Sequence, residues 1–267
     1  MNKLERFYQS LWQKYLILCP QARSIHHLFQ NEGEVLVNDH VAFRTIANSP
    51  ICIDQLEPRI ISLGYEYLES YHFEAKKLNA RCYIHPLSPT KIFISELLHT
   101  ELTIDTQNII RQFIEQIDTT TEPDLNAGRM WQLPTFEQYQ SLIQQSEYAA
   151  WVSIWGLCAN HFTVYVNHLQ HFDNLEQVVS RLSNQGYQLN PIGGFIKGKK
   201  SDLLIQSSTL ACLIPVLFSD AGEQEVAGCY YEFAQRFSDS NGELFQGFIP
   251  SSADKIFEST NRGHAHD

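Results

Sequence analysis

The sequence lacks paired cysteines: Cys19, Cys52, Cys82, Cys158, Cys212 and Cys229 form no CxxC pair, and most sit inside apolar runs. That excludes the local thiolate motifs of zinc ribbons and dithiol redox sites, and leaves six reduced thiols acting as small hydrophobes. Basic residues are also scarce. Nineteen Lys and Arg against 30 Asp and Glu give a formal charge of −11, a field that repels phosphate backbones and argues against a nucleic-acid partner. An anionic small substrate survives that argument, because one buried Arg can reverse the potential inside a pocket. No apolar run approaches the roughly 18 residues of a membrane helix. The N-terminal MNKLERFYQSLWQKYLILCP carries charges where a signal peptide has an apolar core, so the expected address is the cytoplasm. Neither a GxSxG elbow nor a glycine-rich loop ending in GK[ST] occurs, which removes two common starting points for hydrolase and nucleotide chemistry.

What is present is an ordinary globular composition, 43% hydrophobic and 18% charged, predicting order nearly throughout. We expect a single domain over residues 1–267, in four segments. Residues 1–34 form a helical cap, with Leu4, Phe7, Tyr8, Leu11, Tyr15 and Leu16 at helical spacing and Pro20 as a boundary. Residues 35–102 read as β-α-β-β-β: VLVNDHVAFRTI, the helix IDQLEPRIISLG, then YEYLESYHF, ARCYIHPL and KIFISEL. Residues 103–155 read as a helical insert, TIDTQNIIRQFIEQID and TFEQYQSLIQQSEYAAWVSIWG around a turn at PDLNAGRMWQLP. Residues 156–267 repeat the first order with NHFTVYVNHL, the helix LEQVVSRLSNQG, and the strands YQLNP, DLLIQSS, LACLIPVLF and CYYEFAQRF. Each half opens on a His-bearing strand and has a helix ending at a glycine, Gly64 or Gly186, followed by Tyr65 or Tyr187. The fold class is therefore α+β, two βαβββ modules pairing their sheets around a shared cleft.

Strand alternation then assembles a constellation. His40 shares a face with Ala42 and Arg44, His161 with Thr163, Tyr165 and Asn167, and Glu232 with Ala234 and Arg236. Two imidazoles and a carboxylate with one side open suit non-haem Fe(II), and the same set can hold catalytic zinc. The alternative is structural: His40 as a hydrogen-bonded core histidine and Glu232 paired with Arg236. Against it, a strand of the form VLV-VAF with Asp39 and His40 at its centre must compensate their desolvation. His40 and Arg44 are roughly 13 Å apart along the strand, so a metal and a guanidinium could hold the two ends of a five- or six-carbon diacid, unless Arg44 is spoken for by Asp39 or Glu232. His26, His27, His72, His85, His99, His168 and His171 have no partner pattern, and the tail RGHAHD is at most an adventitious metal binder. Gly193-Gly194 with Lys197-Gly198-Lys199 reads as a flexible basic hairpin.

The blocks VNDHVAFRTI, PTFEQYQSLIQQSEYAAW, ANHFTVYVNHL, IKGKKSDLLIQSSTLA, YYEFAQRF and GFIPSSADKIFESTN, spanning about 35–262 in order, resemble the 2-oxoadipate dioxygenase/decarboxylase family. The resemblance implies a vicinal-oxygen-chelate (glyoxalase-like) curved sheet around a metal cleft. It also implies Fe(II), a 2-oxo acid and O2 as reactants, 2-hydroxyglutarate and CO2 as products, and a setting in lysine catabolism. It makes His40, His161 and Glu232 the metal ligands and Arg44 a substrate-binding, catalytic residue. Ser251 and Ser252 become a turn whose backbone N–H groups help hold a substrate carboxylate, although longer members read Pro-Val-Ser there. This chain is shorter than those members, with no additional C-terminal lobe expected. The competing readings are a non-oxidative metalloenzyme on the same fold, whether hydrolase, lyase or isomerase, and a small-molecule-binding protein.

Overall fold

The computed structural model describes residues 2–261. The cap is two helices, α1 (Lys3–Leu18) and α2 (Pro20–Asn31). Pro20 occupies the first turn of α2, where its missing N–H would have had no intrahelical acceptor. α1 begins in a capping box: the Asn2 side chain accepts from the Glu5 N–H, and the Glu5 carboxylate accepts from the Asn2 N–H.

The first module follows its expected order as β1 (Asn38–Ile46), α3 (Ile53–Ile61), β2 (Glu66–Phe73), β3 (Leu78–His85) and β4 (Ser88–Leu97). Gly64 turns the chain after α3 at φ +95°, and a Cβ there would lie 2.7 Å from His85 Nε2, so conformation and space both demand glycine. The insert contributes α4 (Ile104–Ile114), α5 (Phe136–Gln145) and α6 (Glu147–Trp155). The stretch expected as one helix breaks at Ser146, which is extended and whose hydroxyl accepts from the Ala149 N–H to start α6. α5 is amphipathic, whereas every residue from Tyr148 to Ile154 is buried; the chain changes direction where it leaves the surface for the core.

The second module contains β5 (Ala159–Tyr165), α7 (Leu175–Asn184), β6 (Leu204–Ser208), β7 (Leu213–Phe218), β8 (Gly222–Ala227) and β9 (Tyr230–Arg236), and α8 (Pro250–Phe257) follows. Here the layout departs from the expected βαβββ. YQLNP is no strand beyond a single bridge, Leu189 to Thr209, because Pro191 ends it and Asn190 turns its side chain to Lys255 O and Ser259. LACLIPVLF leaves the main sheet for a two-stranded hairpin with GEQEVA, a segment whose composition does not announce a strand. Pro215 lacks the donor that a central strand would need, and polar-rich GEQEVA pairs on one side only.

The main sheet has seven strands in the order β2-β3-β4-β1-β5-β9-β6 and curls around one face. The two leading strands, β1 and β5, pair antiparallel at its centre, and each has a parallel neighbour, β4 or β9. Hence β9 runs antiparallel to β1. Apart from Asn38, every residue of β1, β5 and β9 is buried. On the outer face Trp12 and Tyr15 of α1 meet Phe162 and Tyr231, and Phe29 of α2 meets Phe233. On the inner face α6 brings Tyr148 onto Ser95, and α8 brings Phe257 onto Phe73. Among the described residues no helix is long and apolar enough to cross a membrane.

Candidate metal centre

Alternation alone puts Asp39 on the opposite face of β1 from His40. A register shift between Asn38 and His40 in the β1–β5 ladder overrides it, since a bulge turns neighbouring residues toward one side. Asp39 Oδ1 comes to 2.8 Å from His40 Nδ1. Arg236 grips the same carboxylate, with Nε 2.6 Å from Oδ2 and NH2 2.9 Å from Oδ1. Burial by itself would raise the Asp39 carboxyl, but Arg236 and the imidazole hold it well below the usual carboxylate range. On β5 the neighbour of the ligand does a parallel job: Asn160 Oδ1 lies 3.1 Å from His161 Nδ1.

With an acceptor at each Nδ1, a neutral imidazole carries its proton there and presents the Nε2 lone pair inward. The two Nε2 atoms face each other at 3.3 Å. Glu232 completes the group, with Oε2 3.0 Å from His161 Nε2 and Oε1 3.9 Å from His40 Nε2. One ligand atom from each residue lies within 4.8 Å of the others, and the three side chains are essentially buried. Two converging lone pairs beside a buried carboxylate repel one another unless a cation sits between them. The Thr163 hydroxyl, 3.1 Å from His40 Nε2, can donate to that imidazole but leaves the other unanswered. Gln206 Nε2 donates to Glu232 Oε1 at 2.6 Å, while Oε2 has no hydrogen-bond partner. Burial pushes the Glu232 carboxyl up, yet attraction to the imidazoles in their protonated form, with the Gln206 hydrogen bond, outweighs it and holds the carboxyl below its ordinary value. Burial lowers the His161 imidazole. A carboxylate between neutral imidazoles is the donor set that a divalent cation requires.

Arg44 lies further along β1 on the same face and is 1% exposed. It pairs with neither Asp39 nor Glu232. Its NH1 donates to Glu147 Oε1 at 2.6 Å and its NH2 to Thr260 Oγ1 at 3.0 Å, and Thr260 in turn donates to Glu147. The guanidinium carbon stands 4.8 Å from the Tyr148 ring centre and 5.3 Å from that of Trp151, a cation–π setting. Nε is buried without a partner.

Ser251 is exposed and Ser252 buried in the first turn of α8, with Ser252 Oγ beside Gly198, at the opposite end of that helix from Arg44. The basic hairpin is not wholly on the surface. Lys197 is 1% exposed, its backbone pairs with Gln206 both ways, and its Nζ donates to Asn190 O at 2.5 Å. Burial lowers its ammonium to about 8. Among the described residues the other histidines join no group of three metal-capable side chains. The tail RGHAHD lies outside the described residues. Sequence reasoning missed Asn160, Gln206, Glu147, Tyr230 and Lys197. The one available signal was the short polar residue directly before each histidine, in DH and NH.

The curled sheet of paired modules has a glyoxalase-type fold and carries a buried His-His-Glu group that could hold a metal ion. The architecture matches a glyoxalase-superfamily protein of Ralstonia eutropha JMP134, with a TM-score of 0.75 at 17% identity over 92% of this chain and 85% of that one. The family model described as 2-oxoadipate dioxygenase/decarboxylase matches residues 125–242. The chloroplastic/amyloplastic 2-oxoadipate dioxygenase/decarboxylase of Oryza sativa subsp. japonica is 32% identical over 92% of this chain and 76% of its own length. The crystal structure of an Oryza sativa hydroxyglutarate synthase with 2-oxoadipate superposes with a TM-score of 0.86 at 29% identity, covering 96% of this chain and 91% of that one. A Shewanella frigidimarina structure provisionally named a hydrolase gives 0.87 at 39% identity, covering 94% and 99%. The chain belongs to the 2-oxoadipate dioxygenase/decarboxylase family and is an enzyme of that family.

Proposed function

We propose that the protein converts 2-oxoadipate, or a 2-oxo diacid like it, and O2 into 2-hydroxyglutarate and CO2, using Fe(II) held by His40, His161 and Glu232. The observation that carries this reading is the convergence of two imidazole lone pairs and an ionised carboxylate in a buried site of a chain that belongs to this family. Bound iron would supply the redox chemistry that activates O2 and a Lewis acid for the 2-oxo acid end of the substrate. The chain's own residues orient and position. Asp39 and Asn160 keep each Nδ1 protonated and each Nε2 free; Gln206 steadies Glu232. Arg44 receives the carboxylate remote from the metal, and the first turn of α8 offers the backbone N–H of Ser251 from the other side, whereas that of Ser252 already bonds Ile249 O. α8, with Phe248 standing 4.8 Å from the His40 ring, keeps water from the reacting carbons.

The test is oxygen uptake by Fe(II)-reconstituted protein with 2-oxoadipate and with shorter and longer 2-oxo acids, beside a His161→Ala control. Substrate-dependent uptake, matched by CO2 and absent in the control, is the expected result. Stoichiometric iron with no uptake for any acid would sink the oxidative reading. The non-oxidative metalloenzyme reading shares all three ligands and would then take its place.

A further inference from the structure

Tyr230 is fully buried and its hydroxyl has no hydrogen-bond partner. It opens β9 two residues before Glu232, so both side chains share the inner face, and its register partner on β5 is His161. The Tyr230 ring stacks on the His161 ring, centres 4.6 Å apart and planes 24° from parallel. Ala211 and Ile256 of α8 pack against Tyr230. Tyr230 and Arg44 lie close enough to bias each other's charge. Arg44 Nε, like the phenol, is a buried donor left without an acceptor. Glu147 and Thr260 take the NH1 and NH2 ends of that guanidinium, so Nε is the donor left over, on a side chain that shares the inner face of the sheet with Tyr230.

Phenylalanine would fill this apolar surround equally well, and an unanswered buried hydroxyl costs stability. A residue that retains one in such a place has an acceptor that arrives from outside the chain. We propose that Tyr230 is a substrate-positioning residue: its O–H and the Nε–H of Arg44 together receive the distal carboxylate of a 2-oxo diacid, and so select diacids over monoacids. This rests on the function proposed above and deepens it. A carboxylate has two oxygens, and two donors on strands that flank β5 fix both its position and its rotation. Fixing that end also fixes the carbon chain between it and the metal.

The experiment is anaerobic calorimetry of the Fe(II)-loaded protein, where no turnover intervenes, titrating 2-oxoadipate and, separately, 2-oxohexanoate, which lacks the distal carboxylate. Tyr230→Phe is expected to weaken 2-oxoadipate about tenfold, the scale of one hydrogen bond to a charged group. It should leave 2-oxohexanoate unchanged and the thermal midpoint no lower than in the wild type. Equal diacid affinity in the variant and the wild type, or an equal loss for both acids, overturns the assignment while leaving the proposed function standing. Wild-type protein that binds neither acid overturns both.

Discussion

Two buried arginines stand four residues past a metal-ligand candidate, Arg44 after His40 and Arg236 after Glu232. Because β9 runs antiparallel to β1, they lie toward opposite ends of the inner face with the ligand group between them. Their surroundings differ in one respect. Arg236 has every edge answered by the protein, with Asp39 on Nε and NH2 and the carbonyls of Phe245 and Gly247 on NH1. Arg44 is answered along one edge and left with Nε unpartnered. A buried charge that the fold satisfies completely belongs to the scaffold; one satisfied in part belongs to whatever completes it.

Three substitutions sharpen that contrast, beginning with the largest effect. Arg236→Met strands a buried, ionised Asp39 and frees His40 from its orienting partner. The expected loss is about 3–5 kcal/mol of stability, with metal affinity down roughly 10- to 100-fold and the preference among 2-oxo acids unchanged. Thermal denaturation and metal titration measure both. A variant that keeps its metal affinity would show that Asp39 orients His40 without help.

Arg44→Met should cost less stability, about 2 kcal/mol, and more function, with turnover of 2-oxoadipate falling roughly 100-fold. The difference arises because Glu147 can escape by taking a proton. Burial already raises its carboxyl, and Arg44 is the main influence pulling it down. Without Arg44 the folded-state value rises further above the unfolded one. The folded protein then binds more protons in that window, so its stability falls as pH rises. Thermal midpoints from pH 5 to pH 8 should decline more steeply in the variant than in the wild type; parallel curves would mean that Glu147 has another partner.

The smallest effect concerns Lys197, another buried cation, whose backbone pairs with Gln206 beside Glu232. Its folded-state value near 8 lies below the ordinary lysine value of about 10.4. The unfolded chain therefore binds more protons between those values, and wild-type stability should gain about 1 kcal/mol from pH 7 to pH 9. Lys197→Met should abolish that gain in the metal-free protein. Identical pH dependence in the two proteins would place the ammonium in water.

Much of the site was legible because its ligands sit on strands, where a period of two fixes the face. His40, His161 and Glu232 were placed together from alternation, and Arg44 beside them. The companions were harder to see. Asp39 reaches His40 only through a bulge, and Asn160, adjacent to His161 in the chain, reads as the opposite face of β5. Glu147 comes from an insert whose sequence shows helices but not what they pack against, and Thr260 from beyond α8. Lys197 reads as part of a flexible basic hairpin, yet its backbone pairs with Gln206 and its side chain is buried against Asn190. The second module misled in the same way: β7 and β8 have strand chemistry, but their partners are each other, and pairing is a long-range choice that local composition does not encode.

By itself the sequence determined the acidic field, the reduced thiols, the order of strands and helix in the first module, and the face of each strand on which the ligands stand, since all of these follow from composition or from a period shorter than one element. The tertiary structure alone decided which polar groups would be answered and which left open. That depends on side chains such as Asp39 and Arg236, or Arg44 and Tyr230, which lie up to about 200 residues apart in the chain and meet only because the two modules close one sheet around a common interior. Inside that interior, far from competing water, a single missing partner separates a structural arginine from one poised to bind.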